Sequence, residues 1–206
     1  MIVTYIIIRA SEHTENMEIS IGNFLWLLPL LAAIIIPTRN FRRILNLGGK
    51  RDNFLLGSLI VYVIIAAFIS LGNVLINYTV DVLIERAPFY DTNMFGGVVN
   101  LVEVFRWVDN GAVIAFFRQF AFLFLLATFV HTLTAIQDKW YGWAVDVAII
   151  AIISVFIPIA VLRSALVWFF NLIIFHQNAF LQIGACLAIG IAIYALNKPI
   201  LARKVI

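Results

Sequence analysis

Charge is what this chain has least of. Only 12% of its 206 residues are Asp, Glu, Lys or Arg, about half the roughly 25% of an ordinary soluble domain. Together with a hydrophobic fraction of 64%, that shortage excludes a soluble fold and defines an integral membrane protein. Cysteine is nearly absent. Cys186 stands alone in an apolar run, which excludes an intramolecular disulfide and reads as a buried, inert thiol. No low-complexity tract and no soluble-domain segment interrupts the chain, so residues 1–206 read as a single transmembrane domain. The net charge of +3 and the isoelectric point near 9.2 do not point to nucleic acid, because the basic residues gather where membrane topology alone explains them.

Catalytic signatures are missing as well. Gly48-Gly49-Lys50 lacks the upstream glycine and the Ser/Thr of a phosphate-cradling loop. No HExxH and no paired His/Cys spacing is present, which speaks against a zinc site. GxSxG and GxGxxG are absent, and Glu85 stands alone where an intramembrane CAAX-type protease needs paired glutamates. The chain reads as a non-enzyme that binds no cofactor itself.

What is present is a series of long apolar runs. Ile21–Pro37, Phe54–Asn77, Gly111–Gln137, Gly142–Leu162 and Ala179–Leu196 are each expected to cross the membrane, the fourth kinked at Pro158. Met1–Ile8 is apolar but too short to cross and reads as the stub of a sixth, N-terminal span, so the native chain is expected to start further upstream. An in-frame stop 5′ to this start, with no helix-coding sequence between, would remove that expectation. Ala165–Phe175 covers about 16 Å as a helix, roughly half the hydrocarbon core. Ser164–Asn178 is therefore expected to be a re-entrant or interfacial half-helix. In the polar segment Tyr78–Asn110, the apolar face of Val98, Leu101, Val102, Phe105 and Val108 fits either a helix at the headgroups or a packed loop helix. The expected fold is an all-α polytopic bundle: five complete transmembrane helices, the N-terminal stub, and a half-helix before the last span.

The one long basic interruption is Thr38–Gly57. Phe41, Ile44 and Leu45 fall on one helical face, with Arg39, Arg42, Arg43 and Asn46 elsewhere, so Thr38–Leu47 reads as a short amphipathic helix stopped by Gly48-Gly49. With this connector inside the cell, the inner segments hold nine Lys/Arg and the outer segments four, as the positive-inside rule requires. The localisation this implies is multi-pass in the plasma membrane. Within the spans, Arg118, His131 and Asp146 are ionisable, and such groups point either to a transport site or to pairing and snorkelling. On the pairing reading, Arg118 lies near enough to its helix end to snorkel, with Asp109 as a candidate partner, and the short turn brings His131 and Asp146 within pairing reach. Gly184, Ala188, Ala192 and Ala195 make a small-residue stripe suited to close packing against this chain or a second copy.

The connector Phe41–Gly57 resembles the first cytoplasmic loop of ABC-2 type transporter permeases, especially those of Gram-positive bacterial exporters. The matching positions are Phe41, Leu45, Gly48, Lys50 or Arg51, Phe54 and Gly57. The half-helix before the last span looks like the re-entrant element of such permeases, whereas the family's N-terminal interfacial helix and full first span have no counterpart here. The resemblance implies the membrane subunit of an ATP-driven exporter, with ATP and Mg bound by a separate ATPase subunit. That subunit would dock on Phe41, Arg42, Arg43, Ile44, Leu45, Gly48, Gly49 and Lys50, and a second permease copy or paralogue would complete the path. Membrane lipid would be the remaining partner. The bland alternative makes the arginines positive-inside anchors at anionic headgroups. Two other classes stay open: a non-transporting scaffold or sensor subunit, and an ion-coupled transporter using Arg118, His131 and Asp146.

Overall fold

The computed structural model of the chain describes residues 17–81, 96–137 and 140–202. Among the described residues, four helical stretches are long and apolar enough to cross a membrane: Gly22–Asn46, Arg51–Thr79, Ala112–Ile136 and Ala179–Ile200, of 25, 29, 25 and 22 residues, against the about 20 that a bilayer demands. The first is built from α1 (Ile21–Phe24), α2 (Leu27–Ile35), a π-helical turn at Ile36–Asn40 and α3 (Phe41–Asn46). The others contain α4 (Arg51–Leu75), α6 (Ala112–Ile136) and α9 (Ala179–Ala195), the last followed by α10 (Asn197–Ala202). The short α5 (Leu101–Val104) precedes α6, and α7 (Trp140–Phe156) and α8 (Ala160–Phe170) lie between α6 and α9. Apart from a brief parallel pairing of β1 (Met17–Ile19) with β2 (Gly96–Val99), the described architecture is helical. The proposed stub at Met1–Ile8 lies outside the described residues.

Helix α6 is the hub, packed by α2, α4 and α9. The close approach of α9 depends on Gly190, where an added Cβ would sit 3.1 Å from the Phe124 ring and 3.3 Å from the Leu125 Cα. The buried stripe of α9 is Ala179, Gln182, Cys186, Gly190 and Tyr194. The expected small-residue stripe of Gly184, Ala188, Ala192 and Ala195 faces outward. Helix α7 begins close against the end of α6, where a Cβ on Gly142 would lie 2.3 Å from the Ile136 carbonyl oxygen.

Three expectations change. The run Ile21–Pro37 does not stop at Pro37: the helix passes through the π turn into α3, with the Thr38 hydroxyl donating back to the Ile34 and Ile35 carbonyls at 2.8 and 3.1 Å. The expected span Gly142–Leu162 ends at Phe156, and the chain bends by 116° before Ala160–Phe175. Pro158 lacks an N–H and crowds the preceding turn, so it ends the helix where a kink was expected. The half-helix accordingly starts at Ala160, upstream of Ser164. Finally, Val98–Asn110 is not one helix. α5 ends in a Schellman motif in which Arg106 adopts φ 57°, its N–H donating to Glu103 O (2.7 Å) and the Trp107 N–H to Val102 O (2.9 Å).

That reversal folds the loop into the bundle. Val102 and Trp107 are fully buried. The Trp107 indole stacks on Trp26 at 6.0 Å and meets Phe122 at 5.6 Å, and its N–H donates to the Ile174 carbonyl at 2.7 Å. Of the two readings for this segment, the packed one holds for Val102 and Trp107.

Candidate functional site

The connector is a rigid corner. After α3, Gly48 takes φ 82°, its N–H donates to Leu45 O at 3.0 Å, and the Gly49 N–H donates to Ile44 O at 2.9 Å. This is a Schellman cap, with glycine at the left-handed position. Gly49 must also lack a side chain, because a Cβ there would lie 2.5 Å from Ile44 Cγ2 and 2.9 Å from Ile44 O. Gly48 and Gly49 thus hold the turn, and Lys50 leads into α4 as an exposed residue.

The side chains of the expected docking set divide between interior and surface. Phe41 is 1% exposed and packs edge-on against Phe54 at 5.1 Å, beside Ala135 of α6. It pins α3 to the bundle and presents nothing to a partner. Arg42 and Arg43 are exposed, Leu45 is half-buried, Ile44 is 36% exposed and Leu47 is 79% exposed. Leu47, absent from the expected set, is the most prominent apolar group on the connector. Beside it, Ile36, Asn40, Ile44, Phe54 and Ser58 line an open groove of about 300 Å³.

Arg118, His131 and Asp146 do not meet. His131 is fully buried and its Nδ1 lies 2.5 Å from the Tyr62 hydroxyl, while Asp146 accepts a hydrogen bond from the Gln137 amide. His131 Nδ1 thus faces Tyr62 of α4, and Asp146 is held by Gln137. Around His131 lies a polar layer. Tyr194 OH and Ser58 Oγ are 2.6 Å apart, Tyr194 OH donates to Leu55 O at 2.7 Å, and the Asn197 amide donates to Thr132 Oγ1 at 2.8 Å. Sequence reading passed over Tyr62, Ser58 and Tyr194. The available signal was the roughly four-residue recurrence of Ser58, Tyr62, Ala66, Ser70 and Asn73, all of which are buried.

At the opposite end, Arg118 is 3% exposed and donates to the His176 carbonyl. Asp109 pairs with Arg106 at 3.1 Å, so the expected meeting with Arg118 is reduced to a longer-range attraction. Nearby, Asn100 donates to Asn73 Oδ1 at 3.3 Å, and Asn77 donates to Glu103 Oε1 at 2.6 Å, tying the loop to α4. Among the described residues, no three His, Cys, Asp or Glu side chains gather as a metal site.

Comparison of the chain with family models, curated proteins and solved structures found no match.

Proposed function

We propose that the chain is the membrane permease subunit of an ATP-driven exporter of the ABC-2 type, in the plasma membrane, with a separate ATPase subunit supplying ATP and Mg. The observation that carries this reading is the connector. It is a short arginine-bearing helix continuous with a membrane-length helix, capped by Gly48-Gly49, and it exposes Ile44 and Leu47 along with Arg42 and Arg43. A partner pushing on such a helix moves the attached bundle rather than a slack loop, and exposed apolar anchors with a charged rim suit protein docking. The bent pair α7–α8 carries the chain from the connector end, where α6 stops, to the far end, where α9 begins, and counts as the fifth crossing. The outward stripe of Gly184, Ala188, Ala192 and Ala195 suits close packing with a second copy.

The test is whether an ABC-type ATPase subunit co-purifies with the chain from native membranes. Ile44→Asp/Leu47→Asp should abolish that co-purification while membrane insertion and thermal stability stay unchanged. Retained binding would refute the docking assignment, and a chain that purifies with no ATPase is a scaffold or sensor. One observation favours an ion-coupled transporter instead, the buried His131–Tyr62 contact. Transport that persists without ATP and is lost in His131→Gln would establish that alternative.

A further inference from the structure

At the end opposite the connector, a cavity of about 450 Å³ opens among Phe105, Arg106, Asp109, Arg118, Phe175 and His176. Its volume lies within the range of about 300–1,000 Å³ typical of small-molecule sites. Arg118 lies about 9 Å along the axis from the start of α6. Its guanidinium spends one N–H on the His176 carbonyl, and among the described residues its Nε has no acceptor and no carboxylate lies within 4.0 Å of it. A buried cation in that state is costly unless an anion completes it. The Arg106–Asp109 pair in the same wall is self-neutralising, so among the described lining residues Arg118 leaves one positive charge in excess. Arg106 is held at φ 57°, a left-handed conformation that non-glycine residues seldom adopt. It turns the chain so that a second guanidinium borders the same space. Phe105 and Phe175 meet edge-on at 5.6 Å and supply an apolar wall.

We infer that this cavity binds a phosphodiester group through Arg118. One excess positive charge matches the single negative charge of a phosphodiester, and guanidinium forks suit phosphate oxygens. The aromatic wall receives the carbon skeleton attached to it. The group arrives either on a phospholipid from the surrounding leaflet or on a water-soluble phosphodiester, and the chemistry at Arg118 is the same in both cases. This inference stands independently of the exporter reading.

The test uses the full chain purified in a nonionic maltoside detergent. Native mass spectrometry compares retention of phosphatidylglycerol with that of diacylglycerol, the same lipid without its phosphate. In parallel, glycerophosphoglycerol, the headgroup without its chains, is titrated against the thermal unfolding midpoint. Selective phosphatidylglycerol retention identifies the lipid source, and a raised midpoint with the chainless headgroup identifies the soluble one. In either arm, Arg118→Gln should weaken binding about tenfold or more, the scale of a lost charge-assisted hydrogen bond. Asp109→Asn, which removes the competing carboxylate and frees Arg106, should tighten it several-fold. The inference is overturned if neither phosphate compound is distinguished from its phosphate-free control, or if Arg118→Gln binds like the wild type. Should Arg118→Gln not fold, Asp109→Asn decides alone, and unchanged affinity there overturns the inference.

Discussion

Phe41 offers the sharpest test of how the connector is built. Its ring is 1% exposed and packed between Phe54 and Ala135, so Phe41→Ala removes the ring from a site with little room to collapse. Core Phe→Ala changes cost about 3–5 kcal/mol, including about 0.5–1.5 kcal/mol for an edge-to-face aromatic pair. For a helix inside the bilayer the transfer part of that cost would shrink, since lipid tails are as apolar as the protein interior. α3 carries Arg42 and Arg43, and undocking it puts Phe41 near water, so most of the transfer part remains. We expect a loss of about 3 kcal/mol for Phe41→Ala and about 0.5 kcal/mol or less for the surface change Ile44→Ala. Denaturant titration of the purified chain in detergent micelles, with both variants run in parallel, reads the difference. Equal stabilities would refute the claim that Phe41 anchors α3 internally and would return it to the surface as a docking residue.

Two further outcomes follow from the same geometry. Gly48→Ala should cost about 1 kcal/mol from its left-handed backbone alone, and Gly49→Ala should cost more because its Cβ meets the Ile44 backbone at 2.9 Å; thermal midpoints of the two variants check the order. Tyr62→Phe removes the 2.5 Å partner of His131 Nδ1 and should destabilise the bundle by about 1–3 kcal/mol, whereas His131→Gln keeps a side-chain amide for the Tyr62 hydroxyl and should cost less; denaturant midpoints measure both.

The long apolar runs were legible because length and hydropathy alone specify a membrane-crossing helix. Phe54–Asn77, Gly111–Gln137 and Ala179–Leu196 each match a described helix closely. The Gly48-Gly49 stop was legible for an equally local reason, since a left-handed cap favours glycine. Partnerships were not. In lipid-facing helices the outward residues are as apolar as the inward ones, so hydrophobic periodicity does not reveal that Tyr62 rather than Asp146 meets His131. The inward fold of Trp107 depends on Arg106 at positive φ, a conformation that residue type alone does not announce. Pro158 reads from sequence as a kink within one span, and the 116° turn that ends the helix there is not set by a proline alone. Phe41 looked like an anchor for a partner because it shares a face with Ile44. The structure turns that face so that Phe54 covers the first and leaves the second at the surface.

The exporter proposal places the arginine-bearing connector in the cytoplasm, within reach of an ATPase. Asn46 is exposed on α3 and Cys186 is the only cysteine, so Asn46→Cys in a Cys186→Ser background gives a single reporter. Treated with a membrane-impermeant maleimide, intact cells should leave it unlabelled, and permeabilised cells should label it fully. Labelling in intact cells would put the connector on the outer face and contradict both the orientation and the exporter.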